Sequence, residues 1–115
     1  MNFYEHTIIA RQDTSPAQLK QIQEKYTNLV NKNEGKVVKT ENWGLLYLSY
    51  LIKKNKKGSY IHFKIQGSGK TISELEKNEK IDKNLLRYLT VKVKKLDLKT
   101  NYFEKKSEEL KEKSN

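Results

Sequence analysis

The sequence predicts an α+β sandwich in which one four-stranded antiparallel sheet carries two helices on one of its faces. Extended segments with alternating polarity and amphipathic helical segments follow one another in the order β-α-β-β-α-β. The 115 residues amount to about one domain. Two helices cannot bury their apolar stripes on each other while a sheet lies bare, so both helices are expected on the same side of the sheet.

The first strand and the first helix are predicted from alternation and from capping residues. Residues 3–11 alternate as a half-buried strand does. The sequence Ser-Pro-Ala-Gln at 15–18 supplies an N-cap serine, a proline at the first helical position and a glutamine that completes a capping box. Apolar side chains within residues 19–30 recur at helical spacing. This helix is expected to end near Asn33, with Gly35 as its stop.

A long bent hairpin is predicted next. Residues 36–54 are extended and rich in Val, Trp, Tyr and Leu, and Gly44 interrupts them where a bulge or bend is expected. Asn-Lys-Lys-Gly at 55–58 reads as the turn, and residues 59–66 alternate as the third strand. The core face of that strand is expected to carry Ile61, Phe63 and Ile65.

The second helix is expected to be short and the fourth strand to complete the sheet. Gly-Ser-Gly at 67–69 ends the third strand, and either Ser68 or Thr71 can cap a helix whose apolar positions are Ile72 and Leu75. Residues 85–94 then alternate as a strand. The resulting arrangement is the split βαβ, or ferredoxin-like, sandwich.

This arrangement leaves the second face of the sheet without a helix. That face is expected to be mixed polar and aromatic and suited to a partner, with Glu5, Thr7, Ile9, Tyr60, His62, Lys64, Tyr88 and Lys92 on it. Residues 1–98 are expected to form the folded domain. Residues 99–115 have too few apolar side chains to pack by themselves and are expected to be a charged, flexible C-terminal tail.

The charge distribution indicates a polyanionic partner. The chain has 24 Lys and Arg against 14 Asp and Glu, for a formal charge of +10, and nearly all of the excess lies within residues 1–98. No acid occurs between Glu41 and Glu74. A positive surface attracts nucleic acid first and anionic membrane second. A Lys-rich loop can also serve solubility alone, and the low share of Arg leaves that alternative open.

Composition excludes several other classes. No apolar run approaches the ~18 residues of a membrane span, and no cysteine is present for disulfides, thiolate chemistry or zinc. A cytoplasmic protein that binds neither a membrane nor a small-molecule substrate is therefore expected.

No catalytic constellation can be assembled from the sequence. Gly-Ser-Gly-Lys-Thr at 67–71 lacks the first glycine of a P-loop, because position 64 is Lys. His6 and His62 are expected on opposite sheet faces, and the carboxylates of the second helix, including Glu79, are expected to face solvent. An acylphosphatase-like enzyme would need a glycine-containing phosphate loop after Arg11, which is missing. We therefore expect no enzyme activity, no metal and no cofactor.

Three regions of the chain together resemble the bacterial small-subunit ribosomal protein six family. They are Phe-Tyr-Glu-His at 3–6 with Ala-Arg-Gln-Asp at 10–13; Gly-Lys-Val at 35–37 with Glu-Asn-Trp-Gly at 41–44 and Leu-Ser-Tyr-Leu-Ile-Lys-Lys at 48–54; and Leu-Arg-Tyr-Leu-Thr-Val at 86–91. The resemblance implies a ferredoxin-like fold without enzyme activity. It also implies binding to 16S rRNA in the platform of the small subunit, jointly with small-subunit ribosomal protein eighteen.

The sequence departs from the family pattern in the bent strand. Leu45, Leu46 and Leu51 stand where the family commonly has Arg or Pro. The departure at Leu46 suggests an apolar contact with the partner protein in place of an arginine contact with RNA.

The basic and aromatic residues near the hairpin and the last strand are the candidate binding residues. The RNA-binding set is Lys53, Lys54, Lys56, Lys57, Arg87, Lys92 and Lys94. The partner-binding set is Trp43, Leu46, Tyr47, Tyr50 and Tyr60. The alternative function is a stand-alone basic RNA-binding or regulatory module of the same fold, which charge alone does not exclude.

Overall fold

The computed structural model describes residues 2–96 and confirms the predicted sandwich. Its elements are β1 (Asn2–Arg11), α1 (Pro16–Lys32), β2 (Lys36–Ile52), β3 (Asn55–Gly67), α2 (Gly69–Lys80) and β4 (Leu85–Val93). The four strands form one antiparallel sheet in the order β2-β3-β1-β4. The predicted tail, residues 99–115, lies outside the described residues. Neither helix is long and apolar enough within residues 2–96 to cross a bilayer.

The hydrophobic core lies between one sheet face and the two helices. Ile61, Phe63 and Ile65 of β3 are buried there, as predicted, against Tyr26 of α1 and Leu75 of α2. We call the sheet face that these residues do not occupy the open face. His6 lies on the core face and His62 on the open face, because His6 pairs with Phe63 and His62 pairs with Thr7.

The start of α1 follows the predicted capping box. Ser15 Oγ accepts a hydrogen bond from the Gln18 backbone N–H at 3.2 Å, and Gln18 Oε1 accepts one from the Ser15 N–H at 3.0 Å. The helix ends with Asn33 as C-cap. Gly35 takes part in the stop, since its backbone N–H donates to the Val30 carbonyl at 2.9 Å, whereas the residue with left-handed backbone is Glu34, at φ 63°.

Gly35 is required for space. A Cβ at this position would lie 2.5 Å from Thr71 Cγ2 and 2.9 Å from Val30 Cγ1, inside the contact between α1 and α2. Gly35→Ala is therefore expected to lower the free energy of unfolding by about 1–3 kcal/mol in urea denaturation, because the core is overpacked. Glu34→Gly is the control and should be neutral or slightly stabilising, since glycine accepts a positive φ. Equal stability of Gly35→Ala and the parent would contradict this reading of the contact.

The hairpin turn lies two residues earlier than predicted. Lys53 and Lys54 form it, with φ of 47° and 67°, and Ile52 pairs with Asn55. Asn55 Nδ2 donates to the Lys53 carbonyl at 3.0 Å, which holds the turn closed. Two successive positive φ values match the twist of a two-residue hairpin, so the prediction that residues 55–58 form the turn was wrong. The bulge at Gly44 is confirmed, with φ 81° and a register shift between Asn42 and Gly44.

Ser68, and not Thr71, is the N-cap of α2. Ser68 Oγ accepts from the Thr71 N–H at 3.4 Å, and Thr71 Oγ1 accepts from the Ser68 N–H at 3.2 Å. Thr71 is thus the third residue of the helix and the second half of the capping box. The Gly-Ser-Gly-Lys-Thr sequence is a helix start built from side-chain caps.

The faces of β4 are the reverse of those predicted. Leu89 pairs with Thr7 and therefore lies on the open face, whereas Tyr88 pairs with Ile8 and packs against the core. Lys92, which pairs with Tyr4, also lies on the core side of the sheet. The register of β4 shifts at the bulge between Ile9 and Ala10 of β1, and a one-residue change in pairing moves every side chain to the other face.

Two charged side chains that the sequence placed in solvent are buried. Glu79 of α2 points into the core, where its Oε2 lies 2.5 Å from His6 Nε2. Lys64 of β3 lies under the open face, with its Nζ 3.4 Å from Glu41 Oε2. The prediction that Glu79 faces solvent was therefore wrong. Lys64 does not belong to the basic surface.

Candidate RNA and protein interface

The hairpin of β2 and β3 projects past the end of β1. Arg11, the last residue of β1, pairs with Gly58, so residues 46–57 form an arm with no third strand beside it. Gln12 holds this hairpin arm at two points of β3, near the turn and near the base. Its backbone N–H donates to Asn55 Oδ1 at 3.2 Å, and its Oε1 accepts from the Lys57 N–H at 3.3 Å. The arm is thus held against the end of β1 as far as its turn, where Asn55 is buried, while Lys53 and Lys54 of the turn are exposed.

Four lysines concentrate positive charge on the hairpin arm. Lys53, Lys54 and Lys56 are exposed, and Lys57 is half-buried with its Nζ 4.5 Å from the centre of the Tyr47 ring. The arm itself contains no acidic residue. Charges of one sign at neighbouring positions on a projecting element raise the local potential and favour a polyanion.

Arg87 joins the basic residues of the arm, although it belongs to another strand. Its guanidinium carbon lies 5.4 Å from the centre of the Tyr50 ring, which is a cation–π geometry. Arg87 itself is exposed, at the start of β4. The structure therefore brings together five of the seven predicted RNA-binding residues.

The other two predicted RNA-binding residues, Lys92 and Lys94, lie at the opposite end of the sheet. Lys92 pairs with Tyr4, whereas the arm begins beside Arg11, which is seven residues further along β1. At about 3.3 Å per strand residue, the separation is roughly 23 Å. Both lysines are exposed. They could meet only a different stretch of the same polyanion.

An aromatic stack covers part of the open face. The Trp43 ring lies 4.7 Å from the His62 ring at an interplanar angle of 15°, and 6.3 Å from the Tyr60 ring at 21°. Burial lowers the pKa of His62, although Glu5 and Glu41 oppose the effect, so the stacked imidazole is neutral at pH 7. The stack presents a largely apolar surface to a partner.

The predicted partner-binding set divides between the two sides of the hairpin. Leu46 pairs with Gly58 and shares the open face with Trp43 and Tyr60. Tyr47 pairs with Lys57 and points to the opposite side. Tyr50 lies against Arg87 on the open face. Four of the five predicted residues therefore share one surface, and Tyr47 is separate from it.

Two residues of the open face, Leu89 and Val91, were not predicted from the sequence. Leu89 is 61% exposed and Val91 is 47% exposed, and both line a shallow groove that Trp43, Tyr60 and Ile9 also line. The prediction that Tyr88 and Lys92 lie on the open face had implied that the residues alternating with them, Leu89 and Val91, face the core. Two adjacent exposed apolar residues on an edge strand are the kind of surface that a protein partner covers. Within residues 2–96, no group of three or more potential ligands is arranged to hold a metal.

Comparison with known proteins places the chain in a family. Residues 3–92 match the family model described as ribosomal protein S6. The chain is 71% identical over 108 residues to small ribosomal subunit protein bS6 of Pelagibacter ubique (strain HTCC1062), covering 94% of this chain and 89% of that protein. It is 41% identical over 95 residues to the protein of the same name from Bartonella bacilliformis, covering 83% and 70%.

A solved structure agrees with the fold. The crystal structure of 30S ribosomal protein S6 from Thermotoga maritima superposes with a TM-score of 0.76 at 21% identity, covering 97% of each chain. The two curated relatives are named as ribosomal proteins and not as enzymes, in agreement with the expected lack of enzyme activity. The match over residues 3–92 and the identity to the Pelagibacter protein show that the chain belongs to the ribosomal protein S6 family.

Proposed function

We propose that this protein is a structural component of the bacterial small ribosomal subunit, in the cytoplasm, and that it binds 16S rRNA together with small-subunit ribosomal protein eighteen. The observation that carries the proposal is a lysine-rich hairpin arm that is continuous with an apolar open face. Residues 1–98 are the proposed RNA- and protein-binding domain. The names of the curated relatives support the ribosomal part of the proposal.

The hairpin arm binds RNA through the phosphate backbone. Lys53, Lys54, Lys56 and Lys57 neutralise phosphates, and Arg87 adds a planar guanidinium that can hold a phosphate by two hydrogen bonds. Lys92 and Lys94 contact a second stretch of RNA, which the length of the sheet separates from the first. Phosphate contacts position the protein without reading sequence. Register on the RNA therefore depends on shape and on the partner protein.

The open face binds the partner protein. Trp43, Tyr60, Leu46 and Tyr50 provide aromatic and apolar contact area, of the kind that concentrates binding energy at interfaces. Leu89 and Val91 extend this surface across β1 to the other edge of the sheet. A partner seated here lies directly beside the arm, so that both proteins can contact the same RNA.

Changing Lys53, Lys54, Lys56 and Lys57 together to Gln tests the RNA part. Each phosphate contact contributes about 0.7–0.9 to the slope of log affinity against log salt, so the slope should become shallower by up to about 3–4. The measurement is filter binding or fluorescence anisotropy of a 16S rRNA platform fragment, with the partner protein present, from about 50 to 200 mM salt.

A matched control removes the same charge elsewhere. Lys20, Lys32, Lys70 and Lys77 are exposed residues on the two helices, and their change to Gln should leave the slope close to that of the parent. Equal slopes for the two quadruple variants would move the RNA-binding surface away from the hairpin arm. Sedimentation of tagged protein away from small subunits at moderate salt would favour the alternative, a stand-alone RNA-binding module.

A further inference from the structure

We propose that Tyr47 is a stacking platform for an unpaired RNA base, so that the hairpin arm recognises a bulged or single-stranded nucleotide together with its phosphates. This inference rests on the proposed function and adds to it the kind of RNA element that the arm takes. It also moves Tyr47 from the predicted partner-binding set to the RNA-binding surface.

The side of the hairpin on which Tyr47 lies separates it from the open face. Tyr47 pairs with Lys57, and Leu45 pairs with Ser59, so both point away from Trp43 and Tyr60. A partner protein seated on the open face would have to wrap around the edge of β2 to reach Tyr47. The tyrosine is therefore available when that face is covered.

The ring of Tyr47 is held but not buried. The side chain is 77% exposed, more than that of Tyr50 at 58%. The Lys57 ammonium lies 4.5 Å from the ring centre, which restrains the ring through a cation–π contact and still leaves most of it in solvent. A restrained aromatic ring loses little further conformational freedom when a base stacks on it.

The charge around Tyr47 favours a nucleotide over an apolar peptide. Lys53, Lys54 and Lys56 are within the same arm, and no acid occurs between Glu41 and Glu74. Aromatic residues interleaved with basic ones are the usual composition of surfaces that bind unpaired nucleotides, where the ring takes the base and the cations take the backbone. Bases within a continuous duplex are already stacked, so only an unpaired base can be received.

The test compares two RNA hairpins that differ by one bulged nucleotide. With the partner protein present, the affinity of Tyr47→Ala for the bulged RNA should fall about five- to hundredfold, as expected for the loss of one stacked base. Affinity for the fully paired RNA should change less than twofold, and the salt slope should stay that of the parent. Tyr47→Phe keeps the ring and should bind both RNAs like the parent.

The possible results separate the inference from the proposed function. Unchanged binding of bulged RNA by Tyr47→Ala, or an equal loss on both RNAs, overturns the stacking role while leaving the phosphate contacts intact. Loss of partner binding with RNA binding unchanged would assign Tyr47 to the partner surface instead and also overturns it. If the parent protein and its partner bind neither RNA, the proposed function fails, and the stacking role fails with it. Thermal unfolding checks that the exposed substitution leaves the fold intact.

Discussion

His6→Leu is expected to lower the free energy of unfolding by about 3–5 kcal/mol at pH 7, because it leaves a buried carboxylate without its partner. His6 Nε2 lies 2.5 Å from Glu79 Oε2, and its Nδ1 lies 2.6 Å from Thr90 Oγ1. Neither the His6 nor the Glu79 side chain is reached by solvent. Urea denaturation followed by circular dichroism measures the loss.

The loss should be smaller at pH 5 than at pH 7. Burial raises the pKa of Glu79, and the contact with His6 opposes that rise; the nearby Glu76 and Asp82 carboxylates add to it. Without His6 the rise is larger. A raised carboxyl pKa means that the folded state binds the proton more tightly than the unfolded chain. Stability therefore falls as pH rises from the ordinary Glu value of 4.5 through the folded pKa.

Glu79→Gln in the His6→Leu background is the control, because it removes the carboxylate and with it most of the pH dependence between 5 and 7. The nearby carboxyl group of Asp82 has a pKa below the usual value for Asp. Burial would raise its pKa, but hydrogen bonds from the Tyr26 hydroxyl and the Asn84 N–H, together with Lys25, outweigh burial and lower it. A loss below about 1 kcal/mol for His6→Leu, or a loss that is equal at both pH values, would show that the pair is not the buried contact described.

Lys64→Met should also cost about 3–5 kcal/mol of unfolding free energy, although this lysine lies in the most basic part of the sequence. Lys64 Nζ and Glu41 Oε2 are 3.4 Å apart, and each side chain is only 2% exposed. Methionine matches the length of the lysine stem but removes the ammonium group that lies against the Glu41 carboxylate beneath the open face. Lys56→Met, on the exposed arm, is the matched control and should change stability by less than about 0.5 kcal/mol.

The double variant Lys64→Met, Glu41→Leu separates the charge pair from its surroundings. Replacing both members by apolar residues removes two desolvation costs, so most of the stability should return. With its stability restored, the double variant should bind RNA as the parent does, because Lys64 is not on the surface. A mild effect of Lys64→Met alone, comparable to that of Lys56→Met, would contradict the buried pair.

Local features of the fold were predictable from the sequence. The capping boxes at Ser15 and Ser68 join groups three residues apart, and the bulge at Gly44 depends on one residue's freedom to take a positive φ. The order of elements follows from periodicities that each segment carries by itself. The hairpin lysines were found for the same reason, since a run of like charge is visible without any long-range contact.

The tertiary structure decided whatever depends on strand register or on groups distant in the chain. Leu89 and Val91 look like core residues in isolation, but pairing with Thr7 and Glu5 turns them to the open face. Alternation along a strand shows that its side chains form two sets, but not which of the two sets faces the helices. For the same reason the sequence could not separate Tyr47 from the other residues of the predicted partner-binding set.

The chain by itself therefore determined its family, its element order and the concentration of charge on the hairpin. Only the folded structure showed which charged side chains are exposed and can contact a partner. His6 and Glu79 are 73 residues apart in sequence and meet in the core, and Lys64 is withdrawn from the basic surface by Glu41 across the strand pair. An ion pair can be buried only when the attraction between its two charges compensates the cost of removing both from water. Composition and periodicity do not show which charged residues lie close enough in the fold for that.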